Sequence, residues 1–200
     1  MKKRIAILGS TGSVGRNVLD VVAHHPDEFE VVGLAAGSNA DLLREQCALH
    51  PGALFAVQDA AARRELLDGG DGLSARHVSD GPEPFVRLIE DATPDLLVNC
   101  LVGFVGLRPS LAALEAGVPV ALANKEAIVT GGELIIAASQ RSGAPVIPID
   151  SEHVAISQCL RGSTVDDVKR VFLTASGGAL RDRSPEDLER VRDLRRRRLR

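Results

Sequence analysis

The sequence predicts an α/β protein with a doubly wound, mostly parallel sheet. Two observations carry this reading. Short apolar runs alternate with longer amphipathic stretches, and a glycine-rich turn follows the first apolar run directly. Such alternation reads as successive strand–helix–strand units whose helices cover both faces of a parallel sheet. The predicted strands are Arg4–Gly9, Val31–Ala36, Leu54–Val57, Leu96–Val102, Val118–Ala123 and Val146–Asp150. Helical periodicity falls in Ser13–His24, Ala40–Leu49, Asp59–Leu67, Arg108–Ala116 and Gly132–Arg141. Asp68–Gly72 reads as a solvated turn, and no internal repeat or low-complexity linker interrupts the pattern. In an open sheet of this kind, ligands are expected beyond the carboxyl ends of the strands.

Two hundred residues suffice for a sizeable core, and 44% hydrophobic with 26% charged residues is the composition of an ordinary globular protein. A net charge of −3 gives no global attraction to nucleic acid or to an acidic membrane, and neither partner is expected. The charge is uneven: positions 181–200 hold nine arginines and five acids. That tail reads as a solvated basic helix end rather than a nucleic-acid patch. Cys47, Cys100 and Cys159 are odd in number and far apart. They argue against a disulfide framework or a zinc site and for a reducing cytoplasm. Lys2, Lys3 and Arg4 precede an apolar stretch that stops at Gly9, too short for a secretory signal or a membrane span. A soluble, cytoplasmic protein is expected.

The stretch ILGSTGSVG places Gly9, Gly12 and Gly15 where the first strand ends and the first helix begins. Glycine lets the chain turn tightly and lets backbone approach a phosphate. The following helix offers free N–H groups and the positive end of its dipole. Ser10, Thr11 and Ser13 add hydroxyl donors. A turn serving only strand–helix packing is the alternative. The second strand bears on which nucleotide would bind. NAD sites place an acid about 20 residues beyond the glycines to bond the ribose. Here the strand ends without one until Asp41, while Gly37, Ser38 and Asn39 offer donors, so NADP(H) fits better than NAD(H).

Three further clusters follow strands. Asn124, Lys125 and Glu126 could orient a nicotinamide ribose and a polar substrate, or could be a capped helix start with a surface charge pair. If the last strand persists through Glu152, then Asp150 and Glu152 share one face, where a hard cation such as Mg²⁺ or Mn²⁺ would relieve their repulsion. The other reading is an N-cap and a first-turn acid on a helix Ser151–Leu160, with His153 an ordinary helix residue. Phe172–Gly178 runs from an apolar stretch into a serine and paired glycines, a nest for a substrate phosphate or a simple tight turn.

Gly9-Ser-Thr-Gly-Ser-Val-Gly15, Leu122-Ala-Asn-Lys-Glu126, Pro148-Ile-Asp-Ser-Glu-His153 and Thr174-Ala-Ser-Gly-Gly178, in this order and spacing, closely resemble the 1-deoxy-D-xylulose 5-phosphate reductoisomerase family from Met1 to about Asp182. The resemblance implies a Rossmann-type NADPH-binding domain over residues 1–149, followed by the beginning of a metal- and substrate-binding catalytic α/β domain over 150–200. It implies NADPH contacts from Thr11, Gly12, Ser13, Val14, Gly37, Ser38, Asn39, Asn124 and Glu126. It implies substrate contacts from Lys125, Ser151, Glu152 and Ser176, and Mg²⁺ or Mn²⁺ on Asp150 and Glu152. Lys125, Asp150 and Glu152 are thereby the catalytic candidates. The implied substrate is a sugar phosphate, and the implied full-length form a homodimer. The implied chemistry is a metal-templated retro-aldol–aldol rearrangement followed by hydride transfer, giving 2-C-methyl-D-erythritol 4-phosphate for isoprenoid synthesis.

The chain departs from the family at Ser38, often lysine there, and at Ala179-Leu180-Arg181, usually Pro-Phe-Arg. No counterpart of the family's active-site loop, third metal carboxylate or C-terminal helical domain follows before Arg200. The sequence therefore reads as an N-terminal portion, expected to be inactive alone. A metal-independent NADP-dependent reductase and a non-catalytic NADP-binding module are the rival classes.

Overall fold

The computed structural model describes residues 1–68, 78–79, 83–172, 182–188 and 190. Among these, one sheet holds β1 (Lys3–Leu8), β2 (Phe29–Ala36), β3 (Leu54–Val57), β4 (Val78–Ser79), β5 (Leu96–Asn99), β6 (Val120–Leu122) and β7 (Val146–Pro148). The spatial order is β4-β3-β2-β1-β5-β6-β7, and every pairing is parallel. From β1 the chain winds one way through β4, then returns to β5 on the other side of β1. The switch point therefore lies between β1 and β5, where a doubly wound sheet opens a crevice.

Alternation along each strand explains the two cores. Ile5 and Ile7 of β1 enter one apolar cluster with Leu34, Phe55 and Val98, while Ala6 and Leu8 enter the other with Ala35, Ala56 and Leu97. The first cluster is covered by α1 (Ser13–His24), α2 (Ala40–Leu49) and α3 (Ala60–Asp68), through Val22, Leu43 and Leu66 among others. The second is covered by α4 (Pro84–Ala92), α5 (Leu107–Glu115) and α6 (Lys125–Ser142). Full burial of a side chain such as Leu43 of α2 or Leu114 of α5 contributes roughly 1.5–3 kcal/mol, so both helical layers are firmly seated.

The structure corrects several sequence expectations. Helix α4 and the two-residue β4 were not anticipated. Pro84 sits in the first turn of α4, where proline is tolerated. Helix α6 starts seven residues before the predicted Gly132 and kinks at Gly131 (φ −135°, ψ 27°). A Cβ at Gly131 would lie 2.7 Å from two methyl carbons of Leu107, so the glycine admits close approach of α5. Strand β5 stops at Asn99 and β7 at Pro148. The predicted strand Val146–Asp150 thus ends two residues early, and of the two readings left open for Asp150 and Glu152, the one that put both on one strand face is overturned, because α7 (Ser151–Cys159) begins there. The Asp150 carboxylate accepts from the His153 N–H at 3.0 Å, and the Val154 N–H donates to the Asp150 carbonyl at 3.0 Å. That is the N-cap pattern, and the competing helix-start reading is the correct one.

The chain divides into two compact units, Met1–Gln158 and Cys159–Arg200. In the second, Asp167 accepts from both the backbone and the hydroxyl of Thr164 at 2.8 Å, and the Arg170 guanidinium lies 5.5 Å from the Phe172 ring centre. The rest of the predicted Asp68–Gly72 turn, the Thr174–Gly178 nest with Ser176, and the end of the arginine-rich tail fall outside the described residues. Among the described residues, no helix is long and apolar enough to cross a membrane.

Candidate functional site

The site grows from the end of β1. Gly9 has φ 78°, a left-handed conformation that favours glycine, and an added Cβ would lie 2.7 Å from the Cys100 carbonyl oxygen. Strand β5 thus approaches the turn closely enough to exclude any side chain. The Gly9 and Ser10 N–H groups both donate to the Ala35 carbonyl, at 2.8 and 2.9 Å, which ties the turn to β2. Gly12 caps α1 in an extended conformation (φ −74°, ψ 170°), with no side chain bonding the helix start and no acid in its first turn. The first N–H groups of α1 therefore lack the usual carboxylate or hydroxyl partner, the condition for an anion to settle there.

Thr11, Gly12, Gly37 and Ser38 line a cleft of about 640 Å³ with Cys100 and Leu101, which directly follow β5. The cleft opens at the switch point. Of the predicted hydroxyl donors, Ser10 is turned away: it is fully buried, with its Oγ 2.7 Å from Gln46 Oε1. Ser13 and Val14 lie exposed in the first turn of α1. Asn39 is exposed and caps α2, its Oδ1 accepting from the Leu42 N–H at 3.1 Å. Space around Gly37 is open, with nothing within 4 Å of an added Cβ.

Sequence reasoning missed Gln58 and Asp59, which follow β3 and line the same cleft. Their signal was position: they come directly after a strand, as the glycine turn does. The acid-free end of β2 thus has a carboxylate directly beside it, since the Asp59 N–H donates to the Gly37 carbonyl at 3.0 Å. Asp59 is bound to α3, however, with Oδ1 accepting from Ala61 at 2.9 Å and Ala62 at 2.8 Å. Phe85 was also missed; with Phe104 and Arg108 it lines an adjoining cavity of about 250 Å³.

Asn124 lies two residues beyond β6 at the N-cap position of α6, where its side chain makes no cap bond, and the residue is only 1% exposed. Its Nδ2 donates to the Leu101 and Gly103 carbonyls at 2.8 and 2.9 Å and approaches Glu126 Oε2 at 3.2 Å. In this arrangement Asn124 braces the loop walling the cleft. Its Oδ1 is buried without a hydrogen-bond partner. Asn99, also unanticipated, holds the same loop by donating to the Gly106 carbonyl at 2.9 Å and accepting from the Leu101 N–H at 3.1 Å.

The structure brings Lys125, Asp150, Ser151 and Glu152 to the carboxyl ends of β6 and β7. Lys125 Nζ lies 3.5 Å from Glu152 Oε2. The Glu152 carboxyl is held below its usual range by its own backbone N–H, the Ser151 hydroxyl and the Lys125 charge. Burial pushes the Asp150 carboxyl up. The His153 backbone N–H, ring and charge outweigh burial and leave it below the ordinary aspartate value. His153 Nδ1 lies 2.8 and 2.9 Å from the two Asp150 oxygens. Both carboxylates are thus ionised oxygen donors, a chemistry that fits Mg²⁺ or Mn²⁺. Among the described residues no group of three or more His, Cys, Asp or Glu could enclose a metal, so this pair would need water, substrate or other residues to complete a shell.

Comparison with known proteins gives the pattern a family. The profile of 1-deoxy-D-xylulose 5-phosphate reductoisomerase matches residues 5–132, and the profile of that enzyme's C-terminal domain matches residues 146–196. The match thus reaches beyond Asp182 into the arginine-rich tail. The 1-deoxy-D-xylulose 5-phosphate reductoisomerase of Mycobacterium avium (strain 104) is 48% identical over 189 residues, 94% of this chain and 44% of that protein. The Zymomonas mobilis reductoisomerase in complex with NADPH superposes with a TM-score of 0.83 at 32% identity, covering 94% of this chain and 49% of that one. A reductoisomerase in complex with magnesium superposes with a TM-score of 0.79 at 32% identity, covering 95% of this chain and 50% of that one. The chain spans about half the length of the curated relatives it matches. With profile, sequence and fold in agreement, the chain belongs to the 1-deoxy-D-xylulose 5-phosphate reductoisomerase family.

Proposed function

We propose that this chain supplies the nucleotide site and the first metal- and substrate-binding residues of an enzyme converting 1-deoxy-D-xylulose 5-phosphate to 2-C-methyl-D-erythritol 4-phosphate, in the non-mevalonate route to isoprenoids. The supporting observation is convergence at one edge of the sheet. The cleft at the β1/β5 switch point and the Lys125, Asp150 and Glu152 cluster both lie at the carboxyl ends of parallel strands. A nucleotide site alone would not call for paired ionised carboxylates beside a lysine.

Each part has a role. Backbone N–H groups of Thr11–Val14 would hold the pyrophosphate of NADPH, and Gly37, Ser38 and Asn39 its 2′-phosphate; the bound cofactor would supply the hydride from its nicotinamide ring. Asn124 and Glu126 shape the nicotinamide end. A Mg²⁺ or Mn²⁺ ion held by Asp150 and Glu152 would supply Lewis acidity to the substrate's oxygens. Lys125 holds Glu152 in place and offers a positive charge to an anionic substrate. The Ser151 hydroxyl is a further donor there, and Ser176 is assigned to the substrate phosphate. Residues 1–149 then form the nucleotide domain and 150–200 the start of the catalytic one. The odd number and wide spacing of Cys47, Cys100 and Cys159 support a reducing cytoplasm as the setting, and the family resemblance supports a homodimer for the full-length enzyme.

The test joins this chain to the downstream half of the Mycobacterium avium relative and follows NADPH oxidation with 1-deoxy-D-xylulose 5-phosphate. Turnover should require Mg²⁺ or Mn²⁺ and be lost on Asp150→Asn or Glu152→Gln. Turnover indifferent to cation and to both substitutions would leave a metal-independent reductase as the better reading.

A further inference from the structure

Gln46 and Ser10 form a buried polar pair outside every role assigned so far. Gln46 projects from the second turn of α2 and is 5% exposed; Ser10, in the glycine turn, is fully buried. Their contacts are reciprocal. The Ser10 hydroxyl donates to Gln46 Oε1 at 2.7 Å, and Gln46 Nε2 donates to the Ser10 carbonyl at 3.0 Å. A backbone carbonyl only accepts, so the amide has one satisfactory orientation and the ring of bonds closes one way. The Ser10 N–H is already held by Ala35 of β2. Ser10 is therefore fixed through its N–H, its carbonyl and its hydroxyl, directly before Thr11 and Gly12.

The same helix carries the other end of the site. Asn39 caps α2 at its start, and Gly37 and Ser38 immediately precede it. One rigid helix thus bears the residues assigned to the 2′-phosphate at its N-terminus and, two turns on, the side chain that fixes the pyrophosphate turn. We propose that Gln46 is a positioning residue for NADPH: by clamping Ser10 it sets the spacing between the turn at Thr11–Gly12 and the donors at Gly37–Asn39. The inference rests on the nucleotide reading above. A ligand with two phosphate groups at separate subsites gains from a preset spacing, because less ordering remains to be done on binding.

The test uses the 200-residue chain and fluorescence titration with NADPH and NADH, well below the thermal midpoint. Gln46→Leu keeps the volume and removes both bonds; Ser10→Ala is the milder variant should the first not fold. Either should weaken NADPH on the order of tenfold, and should weaken NADH less, because NADH does not use the second subsite. The double variant Ser10→Ala/Gln46→Leu removes the Gln46 oxygen that Ser10→Ala alone leaves orphaned, and should recover part of that variant's loss of thermal midpoint without recovering affinity. A merely structural pair would give lower midpoints with unchanged affinity, and that result overturns the proposal while leaving the nucleotide site standing. Equal loss for the two nucleotides overturns the spacing role. Failure of the unaltered chain to bind NADPH overturns the nucleotide reading itself, and this inference with it.

Discussion

Lys125 Nζ and Glu152 Oε2 meet at 3.5 Å although 27 residues separate them in the chain. The pair joins the start of α6 to the start of α7, across the ends of β6 and β7. Both side chains are substantially exposed, at 54% and 40%, and exposed ion pairs contribute little to stability. Its value lies in placing a cation and a carboxylate side by side at the mouth of the site. Lys125→Ala in the 200-residue chain is expected to leave the thermal midpoint unchanged by scanning calorimetry. In the chain extended with a relative's downstream half, it should abolish metal-dependent NADPH oxidation. A large drop in midpoint would make the lysine structural instead.

Two glycines should separate folding from binding. A Cβ at Gly15 would lie 2.2 Å from the Gly9 carbonyl oxygen and 2.6 Å from the Ser10 Cα, both backbone atoms that cannot move aside cheaply. Gly15→Ala is expected to destabilise by about 2–4 kcal/mol in urea unfolding. Gly37 has open space around it, so Gly37→Val should leave urea stability nearly intact and still weaken NADPH by filling the cleft. Matching losses of stability at both positions would contradict the assignment.

Most of the fold was legible because its signals are local. The strand-end glycines, the alternation within β1–β3 and the amphipathic α1 and α2 all lie within a few residues of one another, and α1 and α2 begin and end where the sequence places them. Helix α4 was hidden behind Pro82 and Pro84, although Phe85, Leu88, Ile89 and Ala92 have helical spacing and are buried. The fate of Asp150 could not be read locally. An acid after a strand can extend it or cap a helix, and the His153 contacts decide only once the chain has turned. Gln58, Asp59 and Asn99 owe their places to neighbouring strand ends, which no single stretch of sequence displays.

Burial pushes the Cys47 and Cys100 thiols up to about 12 from an ordinary 9.0, whereas Cys159 is exposed. In the native chain at pH 8, a disulfide reagent is expected to label Cys159 quickly and the other two only after unfolding. The sign of the linkage follows. A thiol kept protonated in the fold contributes its full stability below about pH 9, and that contribution is lost as pH rises toward about 12. Rapid native labelling at Cys100 would mean that the β5 end opens into the cleft more readily than its 9% exposure allows.

Asp150 and Glu152 offer two carboxylates where Mg²⁺ prefers six oxygens in near-octahedral order. Calorimetric titration of the 200-residue chain with Mn²⁺ is expected to give a dissociation constant on the order of millimolar or weaker, and Asp150→Asn should remove even that. The same chain should show negligible turnover of 1-deoxy-D-xylulose 5-phosphate. Micromolar binding, or robust NADPH oxidation by the bare chain, would mean that these two carboxylates belong to a complete site.

The most direct measurement is a fluorescence titration of the 200-residue chain with NADPH and NADH side by side, in a protein without tryptophan or tyrosine to interfere. The uncapped start of α1 serves both nucleotides, whereas the open space at Gly37 and the donors at Ser38 and Asn39 lead to tighter binding of NADPH, by about tenfold or more if a single charge-assisted contact to the 2′-phosphate forms. Gly12→Val should weaken both nucleotides. Equal affinity for NADPH and NADH, or no binding of either, would contradict the assignment of this cleft.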